Sequence, residues 1–275
     1  MNRTLLALCA ALLMIAASHA AHHRGDTHAI QATLTRLAVG QHRSAANVAR
    51  NQFRHPVETL MFFGIRPDMT VVEVSPGGGG WYTEILAPFL RESGAYYAGS
   101  YDPESEREYY RRNAVRYQEK LAAHPEHYDR VKVTVFAPPG HVDPAPAGSA
   151  DLVLTFRNTH NWLRSEGAAE AAFAGFHRML KPGGVLGVVQ HRARPGTPLD
   201  AAKGYITEAK VVGLAEAAGF RLAAKSEINA NPKDTADHPE GVWTLPPSLR
   251  LKDVDREKYM AIGESDRMTL RFVRE

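Results

Sequence analysis

Apolar residues recur along this chain with two different periods, and the switches between those periods divide it into elements. From Ser44 the period is helical: Ala49, Phe53, Val57 and Leu60 stand three and four residues apart and share one face. Pro56 has no amide hydrogen, so it suits the first turn of a second short helix better than the interior of one long helix. Gly64 then supplies a C-terminal stop. Thr70 to Val74 (TVVEV) reads as a short apolar strand, followed by the glycine cluster Gly77 to Gly80 and a helix holding Ile85, Leu86, Phe89 and Leu90. Ala95 to Gly99 is the next strand. Asp102-Pro103 opens a strongly polar helix, with aspartate at the N-cap and proline at the first helical position. Val131 to Phe136 alternates as a strand, and Ala150 to Phe156 (ADLVLTF) is a buried one. Ala169, Ala172, Phe173, Phe176, Met179 and Leu180 make one helix face, and LKPGG (Leu180 to Gly184) turns that helix into the strand Val185 to Gln190. Another helix runs to Gly219, and strands follow near Phe220 to Ile228 and Met268 to Val273.

Strands alternating with helices predict a mainly parallel sheet covered on both faces. Right-handed crossovers make it doubly wound. The two closing strands, with no helix directly flanking the last, suit an antiparallel edge. The expectation is a Rossmann-like α/β fold: a doubly wound seven-stranded sheet, mostly parallel with an antiparallel edge strand, over residues 59–275. An N-terminal arm and helices precede it over 21–58, with the polar, His- and Gln-rich stretch 21–43 read as a loose arm. The stretch from Asn229 to Leu249, rich in Pro, Asp and Asn, reads as a long loop over the sheet edge. Loops of that length are more often functional than not.

The first residues add a compartment. Arg3 supplies a positive start, Leu5 to Ala17 form an almost unbroken apolar run, and Ser18-His19-Ala20 offers small residues at the −3 and −1 positions. Together they predict a cleavable signal peptide over 1–20, hence export to a periplasm or beyond. The run is shorter than the ~20 residues that span a bilayer, so no membrane association is expected after cleavage. Cys9, the only cysteine, leaves with the signal, and disulfide and thiol chemistry leave with it. The net charge of +3 becomes about +2 without Arg3, and Lys and Arg are not clustered, so no nucleic-acid partner is expected. Oligomeric state is not written in the sequence.

Five segments carry a resemblance: HPVETLMFFGIRPDMTVVEVSPGGGGWYTEILAPFL, ADLVLTFRNTHNW, LKPGGVLGVVQHRA, AGFRL and ESDRMTLRFVRE, extending over most of residues 55–275. On them the sequence resembles the class I S-adenosylmethionine-dependent methyltransferases, and more narrowly a bacterial group of exported methyltransferase-like proteins. The resemblance implies S-adenosylmethionine as methyl donor and a small-molecule acceptor. In such folds the cofactor lies across the C-terminal ends of the strands at the switch point in strand order. A glycine-rich turn lets the backbone approach it, and the helix N-terminus beyond favours its carboxylate. On that pattern Glu73 meets the cofactor's ammonium, while Ser75, Gly77, Gly78 and Gly79 form the turn. Ser75-Pro76 departs from the family pattern, which more often has glycine first. Ser100, or Asp102 two residues on, stands where an acidic residue grips the ribose, and Asp102 is equally well explained as the N-cap before Pro103.

Arg157-Asn158-Thr159-His160-Asn161-Trp162 ends the fourth strand, at the edge that faces the transferable methyl in this fold. His160 is the general-base candidate, since an unperturbed imidazole pKa near ~6.5 suits neutral pH. Asn158 and Asn161 would orient a substrate by hydrogen bonds, with Arg157 and Trp162 binding it, Trp162 by stacking. His191 and Arg192, ending the next strand, would complete the pocket. Each has a plainer reading: His160 satisfies a loop carbonyl, Trp162 plugs the sheet edge, and His191-Arg192 form a structural cap. The late loop contributes Asn231-Pro232-Lys233-Asp234 and Trp243 as a lid, braced by Asp266-Arg267.

A second constellation concerns metal. Cleavage after Ala20 leaves Ala21-His22-His23, whose amine, amides and third-position imidazole can wrap Cu(II) or Ni(II) in a square plane. Cleavage after Ala21 makes His22 terminal instead, and a merely solvated arm is the plain alternative. His124-Pro125-Glu126-His127 is a weaker candidate, beside a proline at a helix end. An exported protein has no obvious supply of S-adenosylmethionine. The second functional reading is therefore a non-catalytic binding protein that keeps the fold and holds another ligand or a metal such as copper.

Overall fold

The computed structural model describes residues 26–275. The signal read over 1–20 and the copper site read at His22 and His23 lie outside the described residues. Seven strands form one sheet: β1 (Thr70–Val74), β2 (Ala95–Ser100), β3 (Lys132–Val135), β4 (Ala150–Phe156), β5 (Leu180–His191), β6 (Phe220–Ser226) and β7 (Arg267–Arg274). Their order is β3-β2-β1-β4-β5-β7-β6. The first five pair in parallel, and β7 runs antiparallel to both of its neighbours, β5 and β6. The expected mixed sheet is therefore present, with the antiparallel strand one place in from the edge. β5 starts earlier than the sequence suggested, because Leu180 already pairs with Ala150 before an irregularity in the register.

The pattern of burial follows strand position. β4 is buried at all but one residue, as a central parallel strand covered on both faces must be. Edge strand β6 alternates buried or half-buried with exposed residues. Alternation along the central strands sends Val71, Leu152 and Leu154 to one core, and Val72, Val153 and Leu186 to the other. Each fully buried Val or Leu contributes roughly 1.5–3 kcal/mol, so two faces filled this way carry most of the stability.

On one face lie α5 (Thr83–Leu90), α6 (Glu108–Ala123), α7 (Pro125–Tyr128) and a set of N-terminal helices. These are α1 (26–38), α2 (Ala45–Val48), α3 (Asn51–Arg54) and α4 (Pro56–Phe63). Pro56 opens α4 and Gly64 closes it with φ 78°, both as the sequence predicts. The other face carries α8 (Thr159–Trp162), α9 (Ala168–Met179) and α10 (Glu208–Ala217), and α11 (Arg256–Ile262) precedes β7.

Two expectations need correction. Residues 21–43 do not read as a loose arm where they are described: α1 buries Leu34, Leu37 and Ala38 in the sheet core. A buried carboxylate secures the same region, since Glu84 accepts from Arg43 at 2.9 Å, Asn47 at 2.9 Å and Lys120 at 2.6 Å. The boundary drawn between 58 and 59 also passes through α4. The second correction concerns Asp102-Pro103, which opens no helix. α6 begins at Glu108, and Asp102 instead accepts from the Glu104 amide at 2.9 Å, a local turn. The N-cap reading of Asp102 therefore falls.

Candidate cofactor and substrate site

The strand order reverses between β1 and β4, and a cavity of about 930 Å3 opens at their C-terminal ends. That is the position where open α/β sheets take ligands, and the volume is within the ~300–1,000 Å3 usual for small-molecule and cofactor sites. Ser75 represents β1 on its wall, Tyr101 and Asp102 follow β2, Phe136 to Pro138 follow β3, and Asn158, Asn161 and Trp162 follow β4.

The turn after β1 has unusual backbone. Ser75 lies in the left-handed region at φ 52°, where the family pattern more often has glycine, and its amide donates to the Gly99 carbonyl at 2.7 Å. Gly77 follows at φ 71°. A Cβ on Gly77 or Gly79 would meet nothing within 4 Å, so the turn faces open space there, whereas a Cβ on Gly78 would meet Asn113 Oδ1 at 2.7 Å. Asn158 fastens this turn to β4: its Nδ2 donates to the Val74 carbonyl at 3.2 Å and the Ser75 carbonyl at 3.4 Å.

Glu73 does not reach the cavity. Its carboxylate is 3% exposed and accepts from the Tyr96 hydroxyl at 2.5 Å and Thr83 Oγ1 at 3.4 Å. Burial raises its pKa to about 7 in spite of those donors. Ser100 is likewise buried, and its carbonyl accepts from Phe136 N at 2.7 Å. Of the two positions considered for the ribose, Asp102 is the one on the wall, and it is the only carboxylate among the lining residues. Beside it stands an aromatic wall that sequence reasoning missed. Tyr101 stacks on Tyr110 with centroids 4.8 Å apart, with Tyr109 edge-on at 6.1 Å. The run YDPESEREYY held the signal, had it been read as an aromatic patch following a strand instead of a helix.

β4 ends in the segment read as substrate-binding. Trp162 serves two purposes: it packs edge-on against Phe136 at 5.6 Å, inside the core, and borders the cavity. His160 is 1% exposed and does not line the cavity. The Gln190 amide nitrogen donates to the Gly204 carbonyl at 2.9 Å and to His160 Nδ1 at 3.3 Å. The carbonyl fixes that amide's orientation, so Nδ1 accepts and the imidazole hydrogen sits on Nε2, which has no partner. Burial lowers the His160 pKa to about 4, leaving the ring neutral at pH 7. As assembled, His160 offers a donor and not a base.

His191 lies 5.6 Å from His160, ring to ring, and shares a 2.5 Å hydrogen bond with Ser265. Burial, with the charge of neighbouring groups, holds its pKa well below the usual imidazole value. Arg192 turns to other work, forming paired contacts with Asp266 (2.8 and 3.0 Å) and Glu227 (2.8 and 2.7 Å). The late loop closes the region. Trp243 borders the cavity and packs against both imidazoles, at 5.5 Å from His160 and 6.4 Å from His191. Behind it Asp234 is held by Tyr205, His238 and the Asp266 amide. Among the described residues no group of three or more His, Cys, Asp or Glu side chains could hold a metal ion, and no helix is long and apolar enough to cross a membrane.

Solved structures of the same shape are numerous and distant in sequence. A SAM-dependent methyltransferase from Aquifex aeolicus superposes with TM-score 0.51 at 20% identity, covering 66% of this chain and 87% of its own. Geranyl diphosphate C-methyltransferase from Streptomyces coelicolor, solved with Mg2+, geranyl diphosphate and S-adenosyl-L-homocysteine, gives 0.53 at 14% identity over 83% and 82%. Phosphoethanolamine N-methyltransferase 2 from Haemonchus contortus, solved with S-adenosyl-L-methionine, gives 0.53 at 15% over 81% and 52%. No family model matches the sequence, and no curated protein matches it. The fold is that of the class I S-adenosylmethionine-dependent methyltransferases.

Proposed function

We propose that the protein binds S-adenosylmethionine in the cavity between β1 and β4 and transfers its methyl group to a small-molecule acceptor. The observation that carries this reading is the coincidence of cavity and switch point, with Asp102 as the lone lining carboxylate beside the Tyr101 ring. The residues suit the cofactor. Gly77 and Gly79 leave room for close backbone approach, Asp102 can accept from a vicinal diol, and Tyr101 and Phe136 offer flat apolar surfaces for a purine. Glu73 is not available to its ammonium, since Tyr96 and Thr83 occupy that carboxylate.

When bound, the cofactor supplies a methyl group on a cationic sulfur, open to in-line attack by a nucleophile. The chain's own part is positioning, which accounts for most of the rate in such reactions. Asn158 holds the β1 turn against β4, so that backbone facing the ligand is fixed before it arrives. Trp162 and Trp243 border the cavity and exclude water. His160 lies behind that wall, its ring packed on Trp243 at 5.5 Å, and supports it from the core side.

Calorimetric titration with S-adenosylhomocysteine tests the reading. Wild type should bind with one site per chain, and Asp102→Ala should weaken binding by roughly tenfold or more, the loss of a charge-assisted hydrogen bond. Asp102 otherwise makes only its local turn, so the variant should stay folded. Folded wild type that takes up no ligand sinks the proposal.

A further inference from the structure

Positive charge gathers above the C-terminal ends of β4 and β5 and the N-terminal end of the antiparallel β7 without being neutralised. The strand ladders put these ends side by side: Phe156 is level with Val189, and His191 with Arg267. Arg157 and Arg267 therefore stand at one sheet edge with β5 between them. Tyr82 brings the N-terminal helices to the same place, since its ring stacks on Phe156 at 3.6 Å and its hydroxyl donates to the Arg54 carbonyl at 3.3 Å.

Three guanidiniums here share one carboxylate. Arg50 meets Glu264 at 2.6 Å, Arg54 meets it at 3.2 Å, and Arg267 is also paired with it. The Glu264 side chain is 2% exposed, so water does not supply what the arginines lack. Arg157 adds a fourth positive charge, and its guanidinium makes no hydrogen bond or ion pair with any described residue. Its backbone sits at φ 63°, a strained conformation for a residue with a side chain. Burial and the neighbouring Arg267 lower its pKa to about 10, which still leaves it charged at neutral pH. Yet Arg157 is only half-buried, so a solute can reach it. An unpaired cation among cations is costly, and the cost makes sense if a ligand supplies the missing negative charge. His160 Nε2–H, close enough for Arg157 to influence its ionisation, is a second donor without a partner.

We propose that Arg157, with Arg54 beside it, receives an oxyanion group of the acceptor substrate, a carboxylate or a phosphate. Calling the ligand the acceptor rests on the methyl-transfer reading; the oxyanion site itself does not. A planar guanidinium fork matches paired oxygens better than a spherical anion. The cofactor's own carboxylate is a poorer occupant, because it arrives with an ammonium and a sulfonium. Glu264 is taken by three arginines and Glu73 by Tyr96, so neither of these two carboxylates is open to that ammonium.

Thermal denaturation of the full chain in inorganic phosphate or succinate, against chloride at matched ionic strength, tests the site without any cofactor. Either oxyanion should raise the wild-type Tm above its value in chloride, and the better of the two names the group. Arg157→Gln should bind it about tenfold or more weakly and lose the Tm rise. In chloride that variant should be at least as stable as wild type, since a repelling charge is gone. Arg157→Lys, which keeps the charge without the fork, should fall between. Equal Tm values in oxyanion and chloride, or an unchanged response in Arg157→Gln, overturn the proposal. Titration with S-adenosylhomocysteine separates the two readings: normal affinity in Arg157→Gln supports an acceptor site, and lost affinity assigns the charge to the cofactor and overturns it. Wild type that responds to phosphate through Arg157 but ignores S-adenosylhomocysteine keeps the oxyanion site and removes the methyltransferase reading.

Discussion

Glu73 and His160 were both legible in the sequence as chemistry-bearing residues, and in both the surroundings change the chemistry. A carboxylate after an apolar strand invites an ionised role, but Glu73 is 3% exposed and its pKa rises from 4.5 to about 7 by burial. The unfolded chain therefore releases this proton at lower pH than the folded one. Between about pH 4.5 and 7 the native state holds more protons, so this group's contribution to stability falls as pH rises. Glu73→Gln, which cannot ionise, should gain on wild type across that window, by at most about 3 kcal/mol at pH 8. Urea denaturation of both proteins at pH 5 and pH 8 reads the difference, and a stability gap that does not widen with pH contradicts the burial argument. His160 was read as a base from residue type alone. The donor role follows from Gln190 and Gly204, which lie 30 and 44 residues away in sequence and reach it only through the fold.

At the scale of elements, periodicity was a good guide where it was followed and misleading where composition replaced it. Pro56 and Gly64 marked α4 at both ends, and the apolar runs marked the strands. The stretch called a loose arm carried the same helical signal in Ile30, Leu34, Leu37 and Ala38, hidden by its His and Gln content. Leu34→Ala decides the matter. A fully buried leucine truncated to alanine costs about 2–5 kcal/mol, whereas in a loose arm the change is close to neutral. Chemical denaturation giving no loss would remove α1 from the core. The aspartate-proline pair misleads for the opposite reason: its local cap signal falls where the chain makes a turn and delays α6 to Glu108. The loop after β6 was recognised by composition, but its use of Trp243 as a cavity wall depends on tertiary docking that composition does not encode.

For the whole molecule, strand order matters more than any single residue. Because the strand order reverses between β1 and β4, their connections leave in opposite directions and their C-terminal ends stay uncovered, and the cavity forms there. The wall of that opening carries Asp102 and the tyrosines, and the arginine cluster under the N-terminal helices stands beyond the wall, next along the same sheet edge at Arg157 and Arg267. This division suits a cofactor in the opening and an anionic acceptor beside it. The arginine cluster was not legible in the sequence, because Arg50, Arg54, Arg157, Glu264 and Arg267 come from three distant segments. The central claim is that S-adenosylmethionine occupies the cavity at the switch point, and hydrogen–deuterium exchange of the full chain with and without S-adenosylhomocysteine tests it most directly. Slowed exchange confined to residues 75–80, 100–110, 136–140 and 157–163 is the predicted result. Unchanged exchange in those segments at saturating ligand, or protection confined to α10 and β6, would contradict it.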